Sequence, residues 1–320
     1  MDIIFFKTNQ TPTQLSSLET LDTDGTVWFD FTRPQARNWA QEIRKALPCD
    51  VDERHIADSL NELHPSFFDG TDSYDMIIFQ GLSNTAWKEI TTQPTVFFLF
   101  DRCLVTIHAA HNRAINLFKE RLLNNTTTFN YNQSTPEKLL HQILNLLINQ
   151  FMEIRDPLTG QLDEWRTKLL KRGFSNWNAL MNHKRQLRKV ETLCEQQVDA
   201  LMGWREETRF KFDDYMEVRY NDLLEHIKRV LRHVQGLQNE IEFLIELHFL
   251  VSSQHTNDIM RLLTLASVVF MPLNLIASIF GMNFNYMPFI ETPLGFFYVA
   301  SSMTVLAIVL YLLFKLKKWL

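Results

Sequence analysis

Two long uncharged apolar runs near the C-terminal end constrain this chain more than anything else in it. Residues 262–280 hold no charged side chain over 19 positions, and residues 295–314 hold none over 20. A helix rises about 1.5 Å per residue, so a run of roughly 18 or more crosses the hydrocarbon core of a bilayer. One such run can be the buried core helix of a soluble domain. Two in tandem predict a pair of transmembrane helices joined by a loop at 281–294.

The flanks give the orientation. Arg261 precedes the first run, and Lys315, Lys317 and Lys318 follow the end of the second. The loop holds no Lys or Arg and a single acid, Glu291. Positive residues stay on the cytoplasmic side, so both chain ends are expected inside and the loop outside, in the inner (plasma) membrane. Trp319, beside the lysines, suits an interfacial anchor.

About 260 residues precede the first span, enough for a substantial cytoplasmic domain. The net charge of −5 lacks the basic footprint of a nucleic-acid binder. Cys49, Cys103 and Cys194 lie far apart with no pairing or metal-ligand spacing, which fits a reducing compartment. Residues 1–7 are too short an apolar run for a signal peptide. No nucleophile–base pair, metal-ligand constellation or phosphate-binding Gly-rich loop is present, so no enzyme and no ATP-driven step is expected.

Residues 1–130 read as an α/β domain. Strands are expected at 3–6, 27–31, 74–82, 95–100 and 104–108, with Asp22-Thr23-Asp24-Gly25 as turn chemistry. Thr32 can cap a helix through Leu47 with Pro34 in its first turn. Asp50 or Asp52 opens a second helix, and a third runs from about Asn112 to Leu123. A mixed sheet flanked by helices follows. Residues 131–260 read as all helix. Ser134-Thr135-Pro136-Glu137 is a capping box opening a helix to Lys171, kinked at Pro157. Gly173 ends it, and Ser175 caps the next helix, to about Met202. Lys and Glu alternate along these helices, as on a solvated face. A third long helix, the stalk, starts near Asp213 and meets no breaker before Pro272. Ile227, Val230, Val234, Leu237, Ile241, Leu244 and Val251 mark a seam along it, with His248 in the remaining slot and His255 continuing it. This seam packs either on the preceding helices or between subunits. The transmembrane domain takes residues 261–320.

From residue 257 a second pattern begins. Asn257, Met260, Thr264, Ser267, Met271, Asn274, Ser278 and Gly281 recur at spacings of three and four. They form one stripe of polar, small or thioether side chains, displaced from the stalk seam by roughly 200° around the helix. Small residues favour helix–helix packing, which accounts for Ser267 and Ser278. Amides inside a bilayer need protein or water to face, so Asn257 and Asn274 favour the lining of a pore. Two spans cannot enclose one, and a closed cyclic oligomer is expected.

Phe280-Gly281-Met282-Asn283-Phe284, placed between two C-terminal spans and followed by Met287-Pro288 and a Lys317-Lys318-Trp319-Leu320 end, resembles the CorA family of divalent-cation channels. Two positions depart from that family: Phe280 stands where Tyr is usual, and Phe289 stands where an acid follows Met-Pro. The resemblance implies a CorA-like homopentamer that moves Mg²⁺, with Co²⁺ and Ni²⁺ as further ions. It implies a selectivity filter of Gly281, Met282 and Asn283, whose neutral oxygens hold a hydrated ion loosely enough to release it. Gly281 would permit a sharp exit from the helix. Asn274 offers a deeper polar ring, while Met271, Leu263 and Met260 offer apolar constrictions that gate by dewetting. By likeness to the family, Asn257 forms a ring at the cytoplasmic end. Regulatory Mg²⁺ would bind between neighbouring cytoplasmic domains through Asp222, with Asp69 or Asp72 of the 67–72 turn as its partner.

Two other readings stay open. A Zn²⁺ transporter of the ZntB type shares the architecture but usually departs from Met at the position of Met282, and the stripe has none of the Cys or His ligands that Zn²⁺ prefers. A membrane-anchored sensor or scaffold would use the spans only as a tether.

Overall fold

The computed structural model describes the chain apart from residues 8–9, 16–24, 46–49, 85–88, 125–133, 170–173, 283–291 and 318–320. Asp22 to Asp24, Cys49, Gly173, Asn283, Phe284, Phe289, Glu291 and Trp319 therefore lie outside the described residues. The chain divides into two units, Met1–Leu244 and Ile245–Leu320.

The first unit contains strands β1 (Asp2–Phe6), β2 (Thr13–Leu15), β3 (Thr26–Thr32), β4 (Phe67–Gly70), β5 (Asp75–Asn84), β6 (Thr91–Phe100) and β7 (Cys103–His108). They form one seven-stranded sheet in the order β2-β1-β3-β7-β6-β5-β4. The β3–β7 pair is parallel, and the other pairs are antiparallel. The sheet is mixed, as the strand pattern leads one to expect. Alternate residues serve opposite faces. Phe29, Phe31, Ile78, Phe98 and Val105 pack with Trp39 and Ile43 of helix α1 (Trp39–Arg44). On the other face Trp28 meets Phe118 of α3 (Arg113–Leu123). That face also buries Asp30, which accepts from Thr106 Oγ1 and from His108 Nε2 (2.9 Å) and is ion-paired with Lys119. Burial pushes the Asp30 carboxyl up, but His108 and Lys119 outweigh it and hold the group below its ordinary value.

Several boundaries differ from the sequence reading. Thr32 leads into a 3-10 helix, Arg33–Asn38, and α1 ends at Arg44. Asp52 does cap α2 (Glu53–Leu60), accepting from the Arg54 amide at 2.8 Å. The first long helix is two: α4 (Pro136–Glu153) and α5 (Arg155–Leu169) break at Ile154. The break places Pro157 in the first turn of α5, where a missing amide hydrogen costs little. Thr135 is the N-cap of α4 and makes no side-chain cap bond, with Pro136 at the first position. The Ser134 carbonyl instead accepts from Thr26 Oγ1 at 2.6 Å. Helix α6 (Trp177–Glu207) starts after Asn176 and passes through Gly203. A Cβ there would lie 3.2 Å from Phe68 of β4, so this glycine serves close packing and does not stop the helix.

Helix α7 (Asp214–Phe280) contains Pro272 without a break. In the first unit its seam is buried from Met216 through Ile227, Val230, Val234, Leu237 and Ile241 to Leu244. Polar contacts tie this stretch to the preceding helices. Gln235 and Gln238 donate to Glu191 of α6, Thr159 of α5 bonds His233, and His141 of α4 donates through Nε2 to the Arg219 carbonyl. The seam therefore packs within the chain up to Leu244, whereas Val251 is exposed.

The second unit holds the rest of α7 and α8 (Gly295–Leu316). Both helices are long and apolar enough to cross a membrane, and none of either apolar window is buried.

Candidate pore face

Which side of α7 is covered by its own chain can be read from burial. Within residues 257–280 the half-covered positions are Leu265, Val269, Pro272, Leu273, Ile276 and Phe280. The half-covered positions of α8 are Val299, Ala300, Met303, Leu306, Ala307, Leu310 and Phe314. Grooves lined jointly by Ala277, Phe280, Val299, Ala300 and Met303 set the two helices side by side.

The polar stripe lies on the other side. Asn257, Met260, Thr264, Ser267, Met271, Asn274, Ser278 and Gly281 are all exposed, Met271 to 72%. At 100° per residue the centre of this set falls roughly 170° from the centre of the α8-facing set. Helix α8 therefore does not consume the stripe by packing on it. Met303 reaches its edge, lining a groove with Ser267, Met271 and Asn274. Leu263 is also exposed, at 59%.

Two of the stripe hydroxyls, those of Thr264 and Ser267, are satisfied locally. Thr264 Oγ1 donates to the Met260 carbonyl (2.8 Å) and Ser267 Oγ to the Leu263 carbonyl (2.9 Å), the back-bonding open to these residues inside a helix. Their oxygen lone pairs still face outward. The amides of Asn257 and Asn274 make no hydrogen bond among the described residues, so their polar groups await water or another copy of the chain.

At the end of α7 the Gly281 amide bonds the carbonyls of Ala277 (3.0 Å) and Ser278 (3.2 Å), and Met282 bonds Ile279 (3.2 Å). Gly281 is not in the left-handed region, which among described glycines only Gly25 occupies. Gly281 therefore continues the helical bonding and does not use a left-handed cap, and the exit that follows Met282 lies outside the described residues. A Cβ at Gly281 would lie 3.3 Å from the Ala277 carbonyl oxygen, which gives its smallness a steric use. Asn283 lies outside the described residues.

The three acids expected to take part in regulation are placed as follows. Asp222 is on α7, 3.5 Å from His226 one turn on, a partner legible in the i, i+4 spacing. Asp69 is not in a turn but on edge strand β4, where it accepts from His55 Nε2 at 2.9 Å. His55 Nδ1 in turn bonds the Tyr74 hydroxyl at 2.8 Å. No local signal marks His55, because α2 and β4 meet only in the fold. Asp72 lies between β4 and β5 and is exposed. Within one chain no group of three or more His, Cys, Asp or Glu that could hold a metal ion is found among the described residues.

Comparison with known proteins bears on this arrangement. A family profile described as CorA-like Mg2+ transporter protein matches residues 23–318. The cobalt/magnesium transport protein CorA of Thermotoga maritima is 22% identical over 233 residues, 72% of this chain and 66% of that protein. The complete structure of the CorA magnesium transporter from Methanocaldococcus jannaschii matches with a TM-score of 0.84 at 18% identity, covering 100% of this chain and 99% of that one. The ZntB cytoplasmic domain from Vibrio parahaemolyticus matches with a TM-score of 0.63 at 14% identity, covering 79% of this chain and 98% of that one.

Proposed function

This chain belongs to the CorA-like Mg²⁺ transporter family, and on that premise we propose that it forms a homopentameric channel for hydrated Mg²⁺, with the polar stripe of α7 lining the path. The observation that carries this reading is the placement of the stripe opposite the face that α8 covers. Copies of α7 arranged around an axis with their stripes inward and α8 outward would give each polar group water and each apolar face lipid or protein.

Mg²⁺ sheds water reluctantly and takes oxygen ligands in octahedral geometry. A filter of neutral oxygens from Asn283 and the carbonyls of Gly281 and Met282 would bind the ion through its hydration shell, strongly enough to select it and weakly enough to release it. Asn274 would give a second polar ring, and Asn257 a third at the cytoplasmic end. Met271, Leu263 and Met260 would narrow the path with apolar side chains that close it by dewetting. With both termini cytoplasmic, inward flow is driven by the membrane potential, about 4.6 kcal/mol per divalent ion at 100 mV.

Closure by cytoplasmic Mg²⁺ at Asp222, with Asp69 or Asp72 of a neighbouring copy, follows from linkage: an ion that binds the closed ring better stabilises it. The engagement of Asp69 by His55 makes Asp72 the freer of the two acids for this role.

The test is uptake into sealed liposomes of Mg²⁺, Co²⁺, Ni²⁺ and Zn²⁺ in turn, comparing the parent with Asn283→Ala. Mg²⁺ uptake lost in the variant supports the filter. Equal uptake in the two removes the filter assignment, preferential Zn²⁺ uptake replaces the ion, and no flux at all leaves a tether.

A further inference from the structure

The first unit carries a feature that ion conduction does not use. Read along the sequence, Lys184, Arg185, Arg188 and Lys189 are part of an ordinary solvated helix face. The fold gathers all four on one side of α6, where with Gln238 and Glu242 of α7 they line a groove of about 760 Å³. That size lies within the usual range for small-molecule sites, about 300–1,000 Å³.

The charge balance of this groove is unusual for the chain. Lys184 pairs with Glu242 at 2.8 Å and Arg188 with Glu191 at 3.2 Å. Lys189 donates to the Ile90 carbonyl at 2.7 Å, which neutralises nothing. Arg185 has no ion pair or hydrogen bond among the described residues. Four cations thus face two carboxylates, within a protein whose overall charge is −5. Lys184 with Arg188, and Arg185 with Lys189, are also like-charge pairs at i, i+4, a spacing that weakens a helix. They lie too far from the C-terminal end of α6 for the helix dipole to offset this. An anion in the groove would.

We propose that this α6–α7 groove binds a polyphosphate chain, free or carried on a nucleoside, and binds its metal-free form better than its Mg²⁺ complex. Arg185 and Arg188 supply planar guanidinium donors suited to phosphate oxygens, and Lys184 and Lys189 add point charges. Arg188 is largely exposed, and the almost buried Glu191 keeps its bonds from Gln235 and Gln238 when the guanidinium turns to a phosphate. The preference for the metal-free form follows from charge alone: a bound Mg²⁺ removes two negative charges and occupies the oxygens that the guanidinium groups would take. This inference is independent of the transport reading.

The experiment is calorimetric titration of the full-length protein in detergent with ATP and with inorganic triphosphate, in EDTA and again in excess Mg²⁺. The variants are R185Q/R188Q and R37E, the latter an exposed arginine outside the groove, with folding checked by circular dichroism. The expected result is saturable binding of both probes in EDTA, at least tenfold weaker in excess Mg²⁺. R185Q/R188Q should weaken it tenfold or more, and R37E should leave it within twofold. No saturable binding, equal loss in R37E, or no effect of R185Q/R188Q would overturn the proposal. So would binding to anionic phospholipid vesicles by a protein that ignores both free polyphosphates.

Discussion

Gln238 on α7 donates to the carboxylate of Glu191 on α6 at 3.0 Å, and that carboxylate is almost fully buried. Gln235 donates to its other oxygen at 3.2 Å. One acid thereby fixes two successive positions of the long helix against α6. Replacing Glu191 by Ala leaves both half-buried amides without their acceptor, and an unmade bond costs more than a made one contributes. Glu191→Ala is expected to destabilise the full-length protein by about 1–3 kcal/mol, read as a lower thermal unfolding midpoint. Glu191→Gln, which keeps an acceptor, is expected to cost less. An unchanged midpoint in Glu191→Ala would remove the clamp.

The helical layer should be sensitive to mild acid. Burial pushes the His141 imidazole down to about 4, although its bond to the Arg219 carbonyl acts the other way. Burial likewise pushes His183 down to about 4. Both are neutral when folded, while the unfolded chain takes up their protons below pH 6.5. Stability therefore falls as pH drops from 6.5 towards 4, because the unfolded state binds more protons there. Each histidine contributes about 3 kcal/mol to that slope at its lower end. Unfolding midpoints measured from pH 7 to pH 4 check this, and His141→Gln is expected to flatten the profile by about half.

Gly281 gives a test that separates fold from filter. Its backbone is not left-handed, so alanine is conformationally allowed, and alanine favours a helical turn over glycine by about 1 kcal/mol. The added Cβ crowds the Ala277 carbonyl at 3.3 Å, at the helix end that leads into Asn283. Gly281→Ala is expected to keep its thermal midpoint and assembly while Mg²⁺ uptake falls at least tenfold. Uptake at the parental rate would show that the small side chain is not needed there.

Much of this architecture was readable from the residues, and the misses have physical causes. Strands β3, β6 and β7 are buried on both faces, so they read as continuous apolar and β-branched runs. Strand β2 is three mostly exposed residues at a sheet edge and leaves no such trace. Phe67-Phe68-Asp69-Gly70 carries a turn signal in Asp-Gly, yet pairing with β5 makes it an edge strand. The stripe on α7 was legible because its polar residues keep a helical period inside an apolar run. Which face α8 would take was not legible, since α8 is apolar on every side and singles out no face. The partner of Asp69 was hidden for a related reason: His55 sits 14 residues away on another element.

The central claim is that the stripe faces water while the opposite side of the same helix faces α8. The most direct measurement is reaction of single-cysteine variants with a membrane-impermeant thiol reagent in proteoliposomes, under Mg²⁺ depletion. Cys103 and Cys194 are buried, and Cys49→Ser removes the remaining native thiol from consideration. The account predicts fast modification, protected by Mg²⁺, at Asn274→Cys and Ser278→Cys, and slow modification at Leu273→Cys and Ile276→Cys. The reverse order, or equal rates at all four positions, would contradict it.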